Sequence, residues 1–346
     1  MKTLLTAWTV LAVVVGTTYA GTSQPATTAA ATRPAARGPF DPHVGTAWIG
    51  NGICYGPHRD GQGPGGASPT REQLREDLRL FRERWTLLRM YGAGDTAETV
   101  LDLIRQERLG MKVMLGAWIA SEVRVGENGA IVEEFPQAKA ANAREVEAVI
   151  RLANAYPDIV VAVNVGNETQ VFWSSHRVAV DTLIDYIRKV RAAVRVPVTT
   201  CDDFNYWNKP ESRVVAAEID FIVTHIYAMW AGQPLDRGLA FTREKYAEVA
   251  AMHPGRAVVI GEAGWATRMH NEGEQAKLIK GEAGEDQQKL LYDQFVAWTN
   301  RERIVNFFFE AFDENWKGGS HPDEVEKHWG LFRSDRTPKK ALQKSP

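Results

Sequence analysis

Eight short apolar runs alternate with amphipathic stretches along most of this 346-residue chain, and that alternation constrains the fold more than any other feature. The runs cover 48–54, 86–91, 112–119, 159–165, 196–201, 221–227, 257–260 and 304–312. Most are continuously apolar, as parallel strands covered on both faces must be. Between them, helical spacing recurs over 70–84, 143–155, 178–194, 241–252 and 286–301. The first of these carries Leu74, Leu78 and Phe81 on one face, with Thr70 or Ser68 as its cap. Strand and helix alternating eight times predict an α/β fold, a single (β/α)8 TIM barrel. A doubly wound sheet would want a phosphate-binding glycine turn running straight into a helix after its first strand. The glycine-rich segment 56–66 does not run into a helix at once. A prior of about 150 residues per domain would allow two domains, but the chain shows no internal repeat and no second linker.

The ends read differently. Lys2 precedes a mainly apolar run over 4–15, then mostly small residues up to Ala20, the pattern of an export signal over 1–20. The run is too short to span a bilayer comfortably. Residues 21–39 are mostly Ala, Thr and Pro and read as a linker, which leaves 40–346 as the catalytic domain. The expected location is therefore secreted or periplasmic. Forty-one basic and 43 acidic residues nearly cancel, which gives nucleic acid or an anionic membrane no electrostatic purchase. No partner chain is called for, and a monomer is expected. The 11 Trp exceed ordinary core filling and point to rings in a cleft.

In such a barrel, chemistry sits at the C-terminal ends of the strands. The fourth run ends in Asn167-Glu168 and the seventh in Gly261-Glu262, 94 residues apart. Three βα units of roughly 31 residues account for that interval, so the two carboxylates face each other across the mouth. Glycoside hydrolysis needs such a pair, one to protonate the leaving oxygen and one to attack the sugar or activate water. The bland alternative is an ion-paired glutamate at each strand end. His225 lacks a second His at metal-ligand spacing and there is no Cys cluster, so neither metal nor other cofactor is expected. A GxSxG nucleophile elbow is absent.

The segments GICYGP (52–57), LRMYG (88–92), VGNE (165–168), HIY (225–227), GEAGW (261–265), DENWK (313–317) and HWGLF (328–332) follow in order. Together they resemble glycoside hydrolase family 17, the β-1,3-glucanases and β-1,3-glucanosyltransferases, over almost the whole folded chain. The resemblance implies a retaining enzyme on β-1,3-glucan, with Glu168 as acid/base and Glu262 as nucleophile. Arg89 and Tyr227 would keep Glu262 ionised, while Glu168 has no cation beside it in sequence. Asn167 would bind a sugar hydroxyl next to the reacting carbon. Tyr55 and Tyr91 are expected to line the mouth. Glu314 and Lys317 match the family's acidic and basic pair around bound sugar, a surface ion pair being the alternative. Trp118, Trp173, Trp207, Trp230, Trp265 and Trp316 fall at or just after strand ends, where part of them would stack on sugar and the rest pack under loops. Asp202 and Asp203 are read as loop hydrogen bonders. Hydrolysis and glucanosyl transfer stay open, and the long charged segment 120–142 raises the prospect of a partly blocked cleft. A related barrel enzyme on β-1,4-glucan or mannan and a noncatalytic glycan-binding barrel are the competing readings. Cys54 and Cys201 end strands on opposite walls and are expected to stay unpaired.

Overall fold

The computed structural model describes residues 40–126 and 130–343; the export signal and the linker lie outside the described residues. Eight parallel strands close into a barrel: β1 Asn51–Cys54, β2 Leu87–Met90, β3 Lys112–Ala117, β4 Val160–Asn167, β5 Val198–Asp203, β6 Ile222–His225, β7 Val258–Ala263 and β8 Asn306–Phe308. Neighbours in the barrel are neighbours in sequence, and β8 pairs with β1 to close it. Every apolar run of the sequence contributes one strand. Val, Ile, Leu and Phe from both faces are buried, as expected when helices cover the outside and side chains fill the inside.

The helix Arg71–Phe81 begins at a full capping box, in which Thr70 accepts from the Gln73 N–H and Gln73 answers to the Thr70 N–H. Leu74, Leu78 and Phe81 form its buried face. The helix Asp95–Gln106 is absent from the sequence reading; it starts at Gly94 with no side-chain cap yet buries Ala97, Val100, Leu101, Leu103 and Ile104. The segment 120–142 resolves into an exposed hairpin, Val123–Val125 with Ile131–Glu134, and the first turns of the helix Pro136–Ala155. A second hairpin, His43–Val44 with Ala47–Trp48, precedes β1, and before it Phe40 stacks on Phe221 with ring centres 4.9 Å apart. Among the described residues no helix is long and apolar enough to cross a membrane.

Register brings the chemistry-bearing residues to one level. Cys54 pairs with Arg89, Asn167 with Cys201, and His225 with both Asp203 and Glu262. Cys54 and Cys201 are both buried free thiols.

Candidate active site

Glu262 is the last residue but one of β7, with its side chain only 6% exposed. Its Oε1 accepts from Arg89 Nη1 and, at 2.9 Å, from the Tyr91 hydroxyl; its Oε2 accepts from the Tyr227 hydroxyl. Arg89 is fully buried, with its guanidinium 4.4 Å from the Tyr91 ring centre and its Nη2 donating to Asn167 Oδ1. Burial alone would push the Glu262 carboxyl up, but His225 and Arg89 outweigh it and hold the group down to about 2. Burial and the Glu262 anion push the Tyr227 phenol well above its ordinary value, so it remains a donor.

Glu168 follows β4 on left-handed backbone, φ +48°, two residues after Gly166 at φ +81°. Such geometry is uncommon for a residue with a side chain and persists where its surroundings enforce it. Here the Glu168 N–H donates to Cys201 O at 2.9 Å, while the next amides, of Gln170 and Val171, donate to the Asp202 carboxylate at 2.8 and 3.1 Å. Asp202 thus anchors the loop, and Asp203 caps Asn205 N–H at 2.8 Å, the roles expected of both. Burial, and secondly the Glu168 charge, pushes the Asp202 carboxyl up to about 7.

The Glu168 side chain is 26% exposed. It does have a basic neighbour: His225 Nδ1 stands 2.9 Å from its Oε1. Strand pairing, invisible in sequence, supplies that contact. A carboxylate oxygen of Glu168, one of Glu262 and a ring nitrogen of His225 lie within 4.8 Å of one another. These three are also the described residues best placed to hold a cation, but Arg89 already occupies Glu262 Oε1 as the local positive charge.

Lys317 Nζ lies 2.6 Å from both oxygens of Glu310 and 2.9 Å from Glu314 Oε2. Glu314 is buried and also meets His58 Nδ1 at 3.3 Å and Trp316 Nε1 at 3.0 Å. The pair is therefore no surface ion pair, and Glu310 and His58 are members that the sequence reading missed. Gly56 makes room for it, since a Cβ there would stand 2.3 Å from Glu314 Oε2.

The aromatic residues divide. Trp118, Trp173 and Trp316 are exposed, and so is Phe172, which was not singled out and packs edge-on to Trp173. Trp118 lies against His176, whose Nε2 is 2.8 Å from Asn167 O. Trp230 Nε1 donates to Glu326 Oε1 at 2.9 Å. Two expected sugar contacts are corrected. Tyr55 does not line the mouth: it points away from the barrel interior, donates to Asp77 at 3.0 Å and packs on Phe81 and Phe312. Trp265 is wholly buried, donates to Glu282 O at 2.9 Å and fits against Gly238 and Gly281. Trp207 is buried likewise, its N–H on Val223 O.

Fold and site together define the class of (β/α)8 glycoside hydrolases. A family profile described as the BtgE/BtgC glycoside hydrolase domain matches residues 52–330, and the chain belongs to that family, within glycoside hydrolase family 17. A glucan 1,3-beta-glucosidase of Arthroderma benhamiae is 25% identical over 292 residues, 80% of this chain and 86% of its own. One of Schizosaccharomyces pombe is 27% identical over 276 residues, 75% and 77% of the two chains. Among solved structures, an endo-laminarinase from Formosa Hel1_33_131 is similar at a TM-score of 0.73 and 25% identity, covering 85% of this chain and 86% of that one. A family 17 β-1,3-glucanosyltransferase from Rhizomucor miehei shares the fold at a TM-score of 0.65 and 22% identity, covering 84% and 96%.

Proposed function

We propose that the protein is a secreted, retaining glycoside hydrolase of β-1,3-glucan, with Glu262 as nucleophile and Glu168 as acid/base. The enzyme class and the substrate rest on the relatives' names, glucan 1,3-beta-glucosidase and endo-laminarinase. The roles rest on one observation: two carboxyls with oxygens within 4.8 Å, one buried among donors and held anionic, the other open to solvent. Carboxyl groups about 5–5.5 Å apart serve double displacement, whereas inversion needs roughly 6.5–9.5 Å for an intervening water. Glu262 attacks the anomeric carbon as Glu168 gives its proton to the departing oxygen. Glu168, now a carboxylate, then takes a proton from the incoming hydroxyl as the glycosyl ester breaks.

Whether water or a sugar arrives second decides between hydrolysis and transfer. Exposed Trp118, Phe172 and Trp173 favour transfer as the second reading, because Phe172 and Trp173 follow Glu168 in the chain and Trp118 packs on His176 of the same loop. Incubation with laminari-oligosaccharides of defined length tests both. Shorter products alone mean hydrolysis and longer ones mean transfer. Cleavage of β-1,4-glucan or mannan in place of laminarin overturns the substrate. Export through 1–20 predicts a mature chain that starts after Ala20.

A further inference from the structure

Among the described residues His225 is the one side chain paired with both carboxyls, and the reaction just described gives it no part. It is wholly buried in β6, with Nδ1 2.9 Å from Glu168 Oε1 and Nε2 3.5 Å from Glu262 Oε1. Gly261 of β7 admits the ring, since a Cβ there would stand 3.1 Å from both Cδ2 and Nε2. Ionisable groups face it from several strands: Arg89 of β2, with Nη2 3.3 Å from Nε2; Glu168 beyond β4; Cys201, Asp202 and Asp203 of β5; and Glu262 of β7.

We propose that His225 is a positioning residue that couples the charge on Glu262 to the proton on Glu168, the imidazole and Glu168 sharing one proton for as long as Glu262 is an anion. The proposal rests on the roles given above to the two glutamates. Burial and the Arg89 cation work against an imidazolium, but the Glu262 anion, the Cys201 thiol and Glu168 outweigh them and push the ring up to about 10. At neutral pH the Glu168–His225 pair therefore holds one proton more than a carboxylate beside a neutral imidazole would.

When Glu262 attacks, the bond from the anomeric carbon to the departing oxygen breaks. That oxygen takes the shared proton by way of Glu168, which leaves a Glu168 carboxylate beside a neutral imidazole. The new ester leaves Glu262 neutral, and the strongest attraction for the shared proton is gone. Glu168 then stays a carboxylate, the state that must accept a proton from water or a sugar hydroxyl. Release of Glu262 as an anion restores the starting state. One proton leaves with the first product and one returns with the incoming nucleophile.

The test compares His225→Asn with wild type, as kcat/KM against pH, on laminaripentaose and on an aryl β-glucoside whose leaving group needs no proton. The basic limb on laminaripentaose should move down by about one pH unit or more, while the aryl substrate hardly responds. Superimposable profiles, or an equal loss on both substrates at every pH, overturn the proposal. Should the variant not fold, NMR of 15N-histidine-labelled wild type reads the ring itself. One imidazole should be protonated at about pH 8, far above the ordinary value of about 6.5, and lose that proton once Glu262 is trapped as a 2-fluoroglucosyl ester. No such ring, or one indifferent to trapping, overturns the coupling. If laminarin is not cleaved and Glu262 takes no label, the functional reading fails, and the coupling fails with it even where the ring is protonated.

Discussion

Glu262 and Glu168 are the same side chain in two different surroundings, a few ångströms apart. Glu262 is enclosed by a guanidinium and two phenols that donate to it, within strand β7. Glu168 stands on left-handed backbone at the edge of solvent, with a single imidazole beside it. Identical carboxyls take opposite parts when their surroundings push their proton affinities apart. Fixed donors stabilise the resting anion on one side, and on the other a single imidazole and solvent meet a group that must gain and lose a proton.

Removing the nucleophile breaks this contrast most completely. Glu262→Ala should abolish turnover of laminarin while the barrel stays folded, as circular dichroism would show. Azide, entering the space vacated beside the sugar, should give a glycosyl azide of inverted configuration. Residual retaining turnover in the variant would remove Glu262 from its role.

Glu168→Ala should cost about 10²–10⁴-fold on laminari-oligosaccharides and far less on an aryl glucoside with a good leaving group. Azide should here yield product of retained configuration. Equal losses on both substrates would deny Glu168 its part as acid.

Arg89→Met tests the enclosure itself. Breaking a buried ion pair by removing one partner leaves an uncompensated charge and costs about 3–5 kcal/mol, read as a lower denaturant midpoint. The pH dependence has a definite sign. In the native protein the Glu262 carboxyl, held down to about 2, lies below its unfolded value of roughly 4.3. Its contribution to stability is complete above about 4.3 and is lost as pH falls towards 2. In Arg89→Met that acid-sensitive part should shrink, and the acid limb of activity should rise towards the ordinary carboxylate range. An unmoved acid limb would mean that Arg89 does not set the charge of Glu262.

Sequence made the barrel legible because most of the buried strands are continuous apolar runs. Glu168 and Glu262 were legible because each ends such a run beside glycine. What the pattern did not give was which way a side chain faces. Alternation along a strand puts Arg89 and Tyr91 inside together, and His225 with Tyr227, but Cys54 inside and its neighbour Tyr55 outside against Asp77. Tyr55 and Trp265 were placed by proximity to the strand end alone, and both turned out to be core. His225 was visible in HIY, two residues before Tyr227, yet only its lack of metal-ligand spacing was weighed. Its contact with Glu168 spans 57 residues and exists only because β4, β5 and β6 lie side by side. Glu310 hides inside an apolar run, where the Lys317 ammonium beside it is what makes a buried carboxylate tolerable.

The smallest expected effect lies on the open side. Trp173 is 37% exposed and supports little of the core, so Trp173→Ala should change stability by no more than about 0.5 kcal/mol. A ring stacked on a sugar is worth about 0.5–1.5 kcal/mol, which corresponds to roughly two- to tenfold in binding. If that sugar is the acceptor, the loss falls on the second half of the reaction only. The glycosyl-enzyme would form at the wild-type rate and water would intercept more of it. The ratio of longer to shorter products from laminaripentaose should then drop two- to tenfold, while release of an aryl leaving group stays constant. A fall in aryl release with the product ratio unchanged would place Trp173 on the donor side, and the distinction between an enclosed nucleophile and an acceptor-facing acid would have to be redrawn.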